Sequence, residues 1–318
     1  MNKFLSSRPR FFLASAPALL ALALTACGSG KDTPTPDGTP SADALSTSVF
    51  AQPALEVFTQ AVMPELQTAI SRYASGKGFD QVGGPPLLGL LGGGVGGLSL
   101  AQTQQLQAQQ FRAQSINVVG SDCTTHPGNQ TDADQDGILD ASTATYSCAG
   151  TAGFAYNYNG SWTMNDKAQN DGGAAYLFAG KTLGTYSVQD KLLKYTWVYA
   201  EKSRLDTLAT PGGGSSGTYL YNWDAQGSAG VLNVAATFDL KWRLNLTLTR
   251  TPDASGQTVT LSGRASAGNT LSGLGGYADI QGTLHASLAC TTFDGGTLKF
   301  TSGGSSKTVT YTGCGVTQ

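Results

Sequence analysis

Four aspartates crowd into nine residues in the run Asp132-Ala133-Asp134-Gln135-Asp136-Gly137-Ile138-Leu139-Asp140. Counted from Asp132, carboxylates stand at positions 1, 3, 5 and 9, with a glycine at position 6. Carboxylates held this close repel one another unless a cation sits among them. A chain that wraps a hard cation needs alternate side chains that converge, a glycine at the sharp turn and a backbone carbonyl just after it. The chemistry expected of this run is therefore Ca²⁺ binding through oxygen ligands. The alternative is an acidic turn left to solvent.

Over these nine residues the run resembles the loops of EF-hands, dockerins and thrombospondin type 3 repeats. The resemblance implies that Asp132, Asp134 and Asp136 ligate by side chain, Ile138 by its carbonyl, and Asp140 directly or through water. It departs at position 12, where Thr143 replaces the bidentate glutamate and closes a loop taken as residues 131–143. Flanking helices are not apparent, because Ala144 to Cys148 reads as strand. A structural ion is expected, with affinity in the ~10⁻⁴–10⁻³ M range of extracellular modules.

Five cysteines set the compartment. Lys3, Arg8 and Arg10 precede an apolar run from Phe11 to Leu24, too short to span a bilayer comfortably. Leu24-Thr25-Ala26-Cys27 follows and resembles a bacterial lipobox, which implies cleavage before Cys27 and acylation of its thiol. Gly28 rather than Asp after the cysteine implies export to an outer membrane where the cell has one. Several acyl chains, each contributing about 0.8 kcal/mol per buried CH₂, make such an anchor durable. An ordinary secretion signal is the alternative. The other four cysteines allow three pairings. Pairing neighbours, Cys123 with Cys148 and Cys290 with Cys314, closes two loops of similar size, each worth about 3.5 kcal/mol on the chain-entropy model. A zinc site is the rival, but no C-x-x-C occurs and the only histidines are His126 and His285.

Catalytic motifs are thin. Gly213-Gly214-Ser215-Ser216-Gly217 satisfies G-x-S-x-G, but a nucleophile elbow needs a strand before the serine and a helix after it. Here a Pro/Gly/Ser loop precedes a strand from Thr218 to Trp223. His285 shares the polar face of its strand with Gln281, Thr283 and Ser287. Glu201, Asp206 and Asp224 form no recognisable acid pair. The expectation is a non-catalytic protein, with a hydrolase of unrecognised type as a remote alternative.

These residues must be positioned by strands. Between 234 and 248, even positions carry Val234, Phe238, Leu240, Trp242, Leu244, Leu246 and Leu248, while odd positions carry Thr237, Asp239, Lys241, Arg243 and Asn245. Alternation of period two makes one apolar and one polar face. The pattern recurs through Tyr156, Tyr176, Tyr186, Tyr195, Trp197, Tyr199, Tyr219, Tyr221, Trp223, Ile280 and Leu284. Turn residues separate the runs at Asn159-Gly160, Asp171-Gly172-Gly173, Pro211 to Gly214 and Asp294-Gly295-Gly296. The fold expected is mainly β: a large curved antiparallel sheet as meander, sandwich or open barrel, with a short N-terminal helical segment. Leu55, Phe58, Val62, Leu66, Ile70 and Tyr73 recur at three or four and predict that helix over 53–73, with Pro64 kinking its middle.

The organisation expected is a signal peptide over 1–26, a Pro/Thr/Ser tether over 27–42, a helical and Gly-rich segment over 43–115 and a β domain over 116–318. Residues 85–98 (PPLLGLLGGGVGGL) read as a connector, and 102–114 as a weak helix. With 13% charged residues, a net charge of −2 and 42 glycines, the chain lacks the basic face that nucleic acid requires. The sheet's aromatic face is either core under the helix or a cup for lipid or another apolar ligand. The function expected is a lipid-anchored, exported structural or binding module of the cell envelope, attached to the membrane by its N-terminal lipid. A carrier of apolar ligands is the alternative.

Overall fold

The computed structural model describes residues 34–35, 37–41, 45, 48–75, 121–126, 128–150, 155–189, 193–231, 234–269, 274–287, 289–290 and 292–317. The segments 1–26, 85–98 and 102–114, and the proposed acylation site Cys27, lie outside them. Twelve strands pair in sequence order as one antiparallel meander. They are β2 (Ser121–His126), β3 (Ala141–Gly150), β4 (Ala155–Asp166), β5 (Tyr176–Gln189), β6 (Leu193–Thr210), β7 (Gly214–Val231), β8 (Val234–Asp253), β9 (Gly256–Asn269), β10 (Leu274–Ser287), β11 (Gly295–Ser302), β12 (Ser305–Gly313) and β13 (Val316–Thr317). A two-residue strand, β1 (Ser48–Val49), adds in parallel to β10. Among the described residues the ends of the sheet do not pair, so it is open. The fold is mainly β, as the alternation predicts, and the 20-residue β8 is its longest strand.

Register makes the two faces distinct. One rung runs through Trp162, Gly180, Ser203, Tyr221, Leu244 and Ala265. The next carries Met164, Phe178, Leu205, Tyr219 and Leu246. This inner face is covered where α1 (Gln52–Ser75) packs against β9, β11 and β12. The helix turns Leu55, Phe58, Val62, Leu66, Ile70 and Tyr73 inward, all buried. Those are the residues its spacing of three and four selects. Each contributes on the order of 2 kcal/mol by leaving water. The helix runs unbroken through Pro64. Of the aromatic face, Trp162, Tyr199, Tyr219, Tyr221 and Trp242 are buried as core.

Asn159-Gly160 does not turn the chain but lies inside β4. The glycine is there for space: a Cβ at Gly160 would sit 2.2 Å from the ring of Tyr146 on β3. The ring therefore lies flat over the neighbouring strand, with its hydroxyl 2.6 Å from Thr182 Oγ1 on β5.

The outer face is polar, and a belt of N-terminal chain crosses it along a single rung. That rung runs Lys181, Lys202, Asn222, Arg243, Ser266, Tyr277 from β5 to β10. Lys202 Nζ donates to the carbonyl of Asp37 at 2.9 Å. Asn222, its amide oriented by its partners, donates to Ser41 O at 3.2 Å and accepts from Ser41 N at 2.7 Å. Leu45 N donates to Ser266 Oγ at 3.1 Å. The belt then joins β10 as β1, and Phe50 crosses to the inner face to stack on Phe58, ring centroids 4.5 Å apart. Part of the stretch expected as a tether thus lies on the sheet, with Pro34 and Pro40 buried.

Candidate metal centre

In a meander, alternate connections emerge at the same end of the sheet. Ala141, which opens β3, pairs with Asn165 near the end of β4. The link between β2 and β3 therefore lies beside the link between β4 and β5, and both are acidic. The first is anchored from below by Ile138 and Leu139, both buried, with Leu139 N donating to Met164 Sδ at 3.4 Å. It is closed by Asp140 N donating to Thr131 O at 3.0 Å, and its sharp turn uses positive φ at Gln135 (60°) and Gly137 (93°). Glycine at that point is what the sequence pattern requires.

Asp132, Asp134 and Asp136 converge, with one oxygen from each lying within 4.8 Å of the others. A second trio, Asp136, Asp166 and Asp171, meets the same limit, so Asp136 belongs to both. The loops are bonded together as well. Gly173 N donates to Asp136 Oδ2 at 2.7 Å, and Asn170 N donates to Asp134 Oδ2. Asp171 accepts from Ala174 N and Ala175 N at 2.9 and 2.8 Å. Asp140 stands outside both trios; its Oδ1 accepts from Gln169 Nε2 at 3.0 Å. Ile138 serves as an apolar anchor, and its side chain takes no part in the acidic cluster.

The electrostatics of the cluster favour a positive charge among its carboxylates. Burial raises the pKa of Asp136, and repulsion from Asp134 and Asp132 adds to it. Burial likewise raises Asp166, reinforced by Asp136, Asp134 and Asp171. Asp134 moves the other way, chiefly through the Asn170 amide that bonds its carboxylate. Its other oxygen, Oδ1, is buried without a hydrogen-bond partner. Buried polar atoms are normally satisfied, so an orphaned carboxylate oxygen amid five aspartates suits a cation ligand. All-oxygen donors suit a hard ion and offer nothing to a soft one. The acidic clusters could hold a metal ion. Asp166 and Asp171 escape a reading by spacing, because only strand pairing brings them to the first loop; the signal was Asp171-Gly172-Gly173, which reads simply as a turn.

Two other groups bear on catalysis. Ser215, the serine of the G-x-S-x-G match, lies not in a loop but inside β7, which begins at Gly214. It is buried, its Oγ donates to Tyr73 Oη at 3.1 Å, and Tyr73 donates to its carbonyl at 2.7 Å. That hydroxyl ties helix to sheet. Near the opposite edge, Ser255 Oγ lies 3.1 Å from His285 Nε2, and His285 Nδ1 lies 2.6 Å from Asp294 Oδ1. The order matches a nucleophile, base and acid. However, Ser255 Oγ also donates to Asp253 Oδ1 at 2.7 Å, and the amides of Ser255 and Gly256 both donate to that oxygen at 2.9 Å. The backbone donors that would have to stabilise an oxyanion are thus engaged. The arrangement fastens the β8–β9 turn to the chain entering β11.

The disulfide Cys290–Cys314 is formed, with Cα atoms 5.5 Å apart. Cys123 and Cys148 stand directly opposite each other across β2 and β3. Among the described residues, no helix is long and apolar enough to cross a membrane. No protein-family model, curated protein or solved structure matches this chain.

Proposed function

We propose that this protein is a non-catalytic structural or binding module of the cell envelope, exported, anchored by acylated Cys27, and braced by calcium at the paired acidic loops. The observation that carries the brace is the convergence of Asp132, Asp134, Asp136, Asp166 and Asp171 from two separate connections, with Asp136 shared. Ca²⁺ fits better than Mg²⁺ because it accepts more oxygen ligands in less regular geometry. Here the ion would neutralise repulsion and lock two hairpins together, a structural role. The Leu24–Cys27 motif supports the anchor, and the cystine Cys290–Cys314 agrees with an exported chain.

Calorimetric titration of the metal-free protein tests the brace directly. Heat of binding at millimolar calcium is expected in the wild type, and none in Asp132→Ala/Asp136→Ala. Equal silence from both proteins would reduce the loops to acidic turns. For the anchor, Cys27→Ala is expected to leave the precursor uncleaved and unlabelled by fatty acid; normal acylation of that variant would overturn the reading.

A further inference from the structure

The belt shortens whatever tether follows Cys27. Pro34 is already buried, and Asp37 is held through its carbonyl by Lys202 and through its carboxylate by Lys181, 3.7 Å away. Only six residues, hence seven Cα–Cα steps, separate Cys27 from Pro34. Fully extended, they reach roughly 24 Å. The belt runs from β10 toward β5, so its free end leaves the sheet on the outer face near β5 and β6, not at either edge hairpin.

That patch has the chemistry of an interface with anionic lipid. Lys181 and Lys202 lie on adjacent strands, and Leu183, two residues along β5 on the same face, is 39% exposed. Around them the outer face of β4 to β6 presents Asn157, Asn159, Thr185 and Thr196, and the carboxylate farther along β6 on that face, Asp206, is paired with Lys167 and Arg204. Asp37 of the belt is paired with Lys181, and Asp224 of β7, in the rung of Leu183, with Arg243. Lysines draw such a face to anionic headgroups, and an exposed leucine beside them enters the headgroup boundary.

We infer that the outer face of β4–β6 around Lys181, Leu183 and Lys202 lies against an anionic phospholipid surface, held there by the short reach from Cys27. This rests on the lipid-anchor reading above. The protein then stands with β4–β6 at the membrane and β11–β12 directed away from it. Seven strand spacings separate β5 from β12, about 34 Å.

The test uses acylated full-length protein in vesicles of phosphatidylethanolamine and phosphatidylglycerol. An environment-sensitive dye replaces either Leu183 or Thr308, which lies on β12 far from the patch, and brominated lipids serve as quenchers. Severalfold stronger quenching at 183 than at 308 is expected. A Gly/Ser spacer of about 20 residues between Gly30 and Lys31 should remove the difference. Lys181→Glu/Lys202→Glu should weaken it. Equal, weak quenching at both sites in protein that floats with the vesicles would overturn the proposal while leaving the anchor standing. Undiminished quenching with the spacer present would overturn the short reach as its cause. Failure to float would remove the anchor reading, and this orientation with it.

Discussion

His285 stands between Asp294 and Asp253, and the two carboxylates act on it in the same sense. The hydrogen bond to Asp294 raises its pKa first, and Asp253 adds to that. Asp253 is itself lowered to about 2, mainly by the Ser255 hydroxyl. A base with a raised folded pKa contributes stability that is complete below its unfolded value, about 6.5, and is lost as pH rises through the folded value. Wild-type protein should therefore lose a few degrees of Tm between pH 6 and pH 9, a loss that His285→Gln abolishes; parallel curves for the two proteins would contradict it. Asp136 and Asp166 carry the opposite sign. Acids whose folded pKa is raised cost stability once pH exceeds the unfolded value, and the cost is full above the folded one. Metal-free protein should accordingly gain stability as pH falls through those values toward 4, and calcium at pH 7 should replace the proton. At calcium one hundred times its Kd the gain is about 2.7 kcal/mol, and Asp136→Asn should raise the Tm of the metal-free form while removing the calcium response. The first acidic loop is legible in the sequence because its carboxylates are contiguous. Its second half is not, because Asp166 and Asp171 join it only through the register of β3 with β4.

At the scale of elements, α1 was legible for a similar reason: its buried residues recur locally at three and four. Leu66 is fully buried at the centre of that stripe, and Leu66→Ala should cost 2–5 kcal/mol, read from the urea midpoint. Tyr73 has a more specific role, since its hydroxyl bridges the carbonyl and Oγ of Ser215 across to β7. Tyr73→Phe should cost about 1–2 kcal/mol by leaving Ser215 short of a partner, and Ser215→Ala in the same background should add little. Full additivity of the two changes would mean that the hydroxyls act independently. The belt, by contrast, had no periodic apolar signal to betray it. A stretch of Pro, Thr, Ser, Asp and Gly reads as free chain because nothing local can fold it. What holds it is a rung of polar side chains, with contacts from β5, β6, β7 and β9, among them Asn222 and Ser266, both buried beneath it. Asn159-Gly160 misleads in the other direction. The dipeptide has turn chemistry, yet the position is set by the Tyr146 ring from the next strand.

For the whole molecule, an open sheet leaves two edges, and unpaired strand edges invite association with other chains. Among the described residues both edges are short, with six residues in β2 and two in β13. Each also has a pair of cysteines next to it. Cys290–Cys314 ties the chain entering β11 to the turn between β12 and β13, a separation of 24 residues. Closing such a loop contributes about 3.5 kcal/mol on the chain-entropy model. At the other edge, Cys123 and Cys148 face each other in register. Directly opposed residues of an antiparallel pair lie roughly 4.5–5.5 Å apart at Cα, within the reach of a disulfide. Non-reducing peptide mapping should therefore join Cys123 to Cys148 as well as Cys290 to Cys314; cross-pairs would contradict the register. If these bonds guard the edges, reduction should act there first. Amides of β2 and β12–β13 should lose protection from hydrogen exchange after reduction, while those of β6 to β9 keep theirs, because these long central strands are paired on both sides without help from sulfur. The reduced protein should also associate with time, and Cys290→Ser/Cys314→Ser alone should expose only the β12–β13 edge. Uniform loss of protection through β6 to β9 on reduction would mean that the cystines hold up the whole sheet rather than its margins.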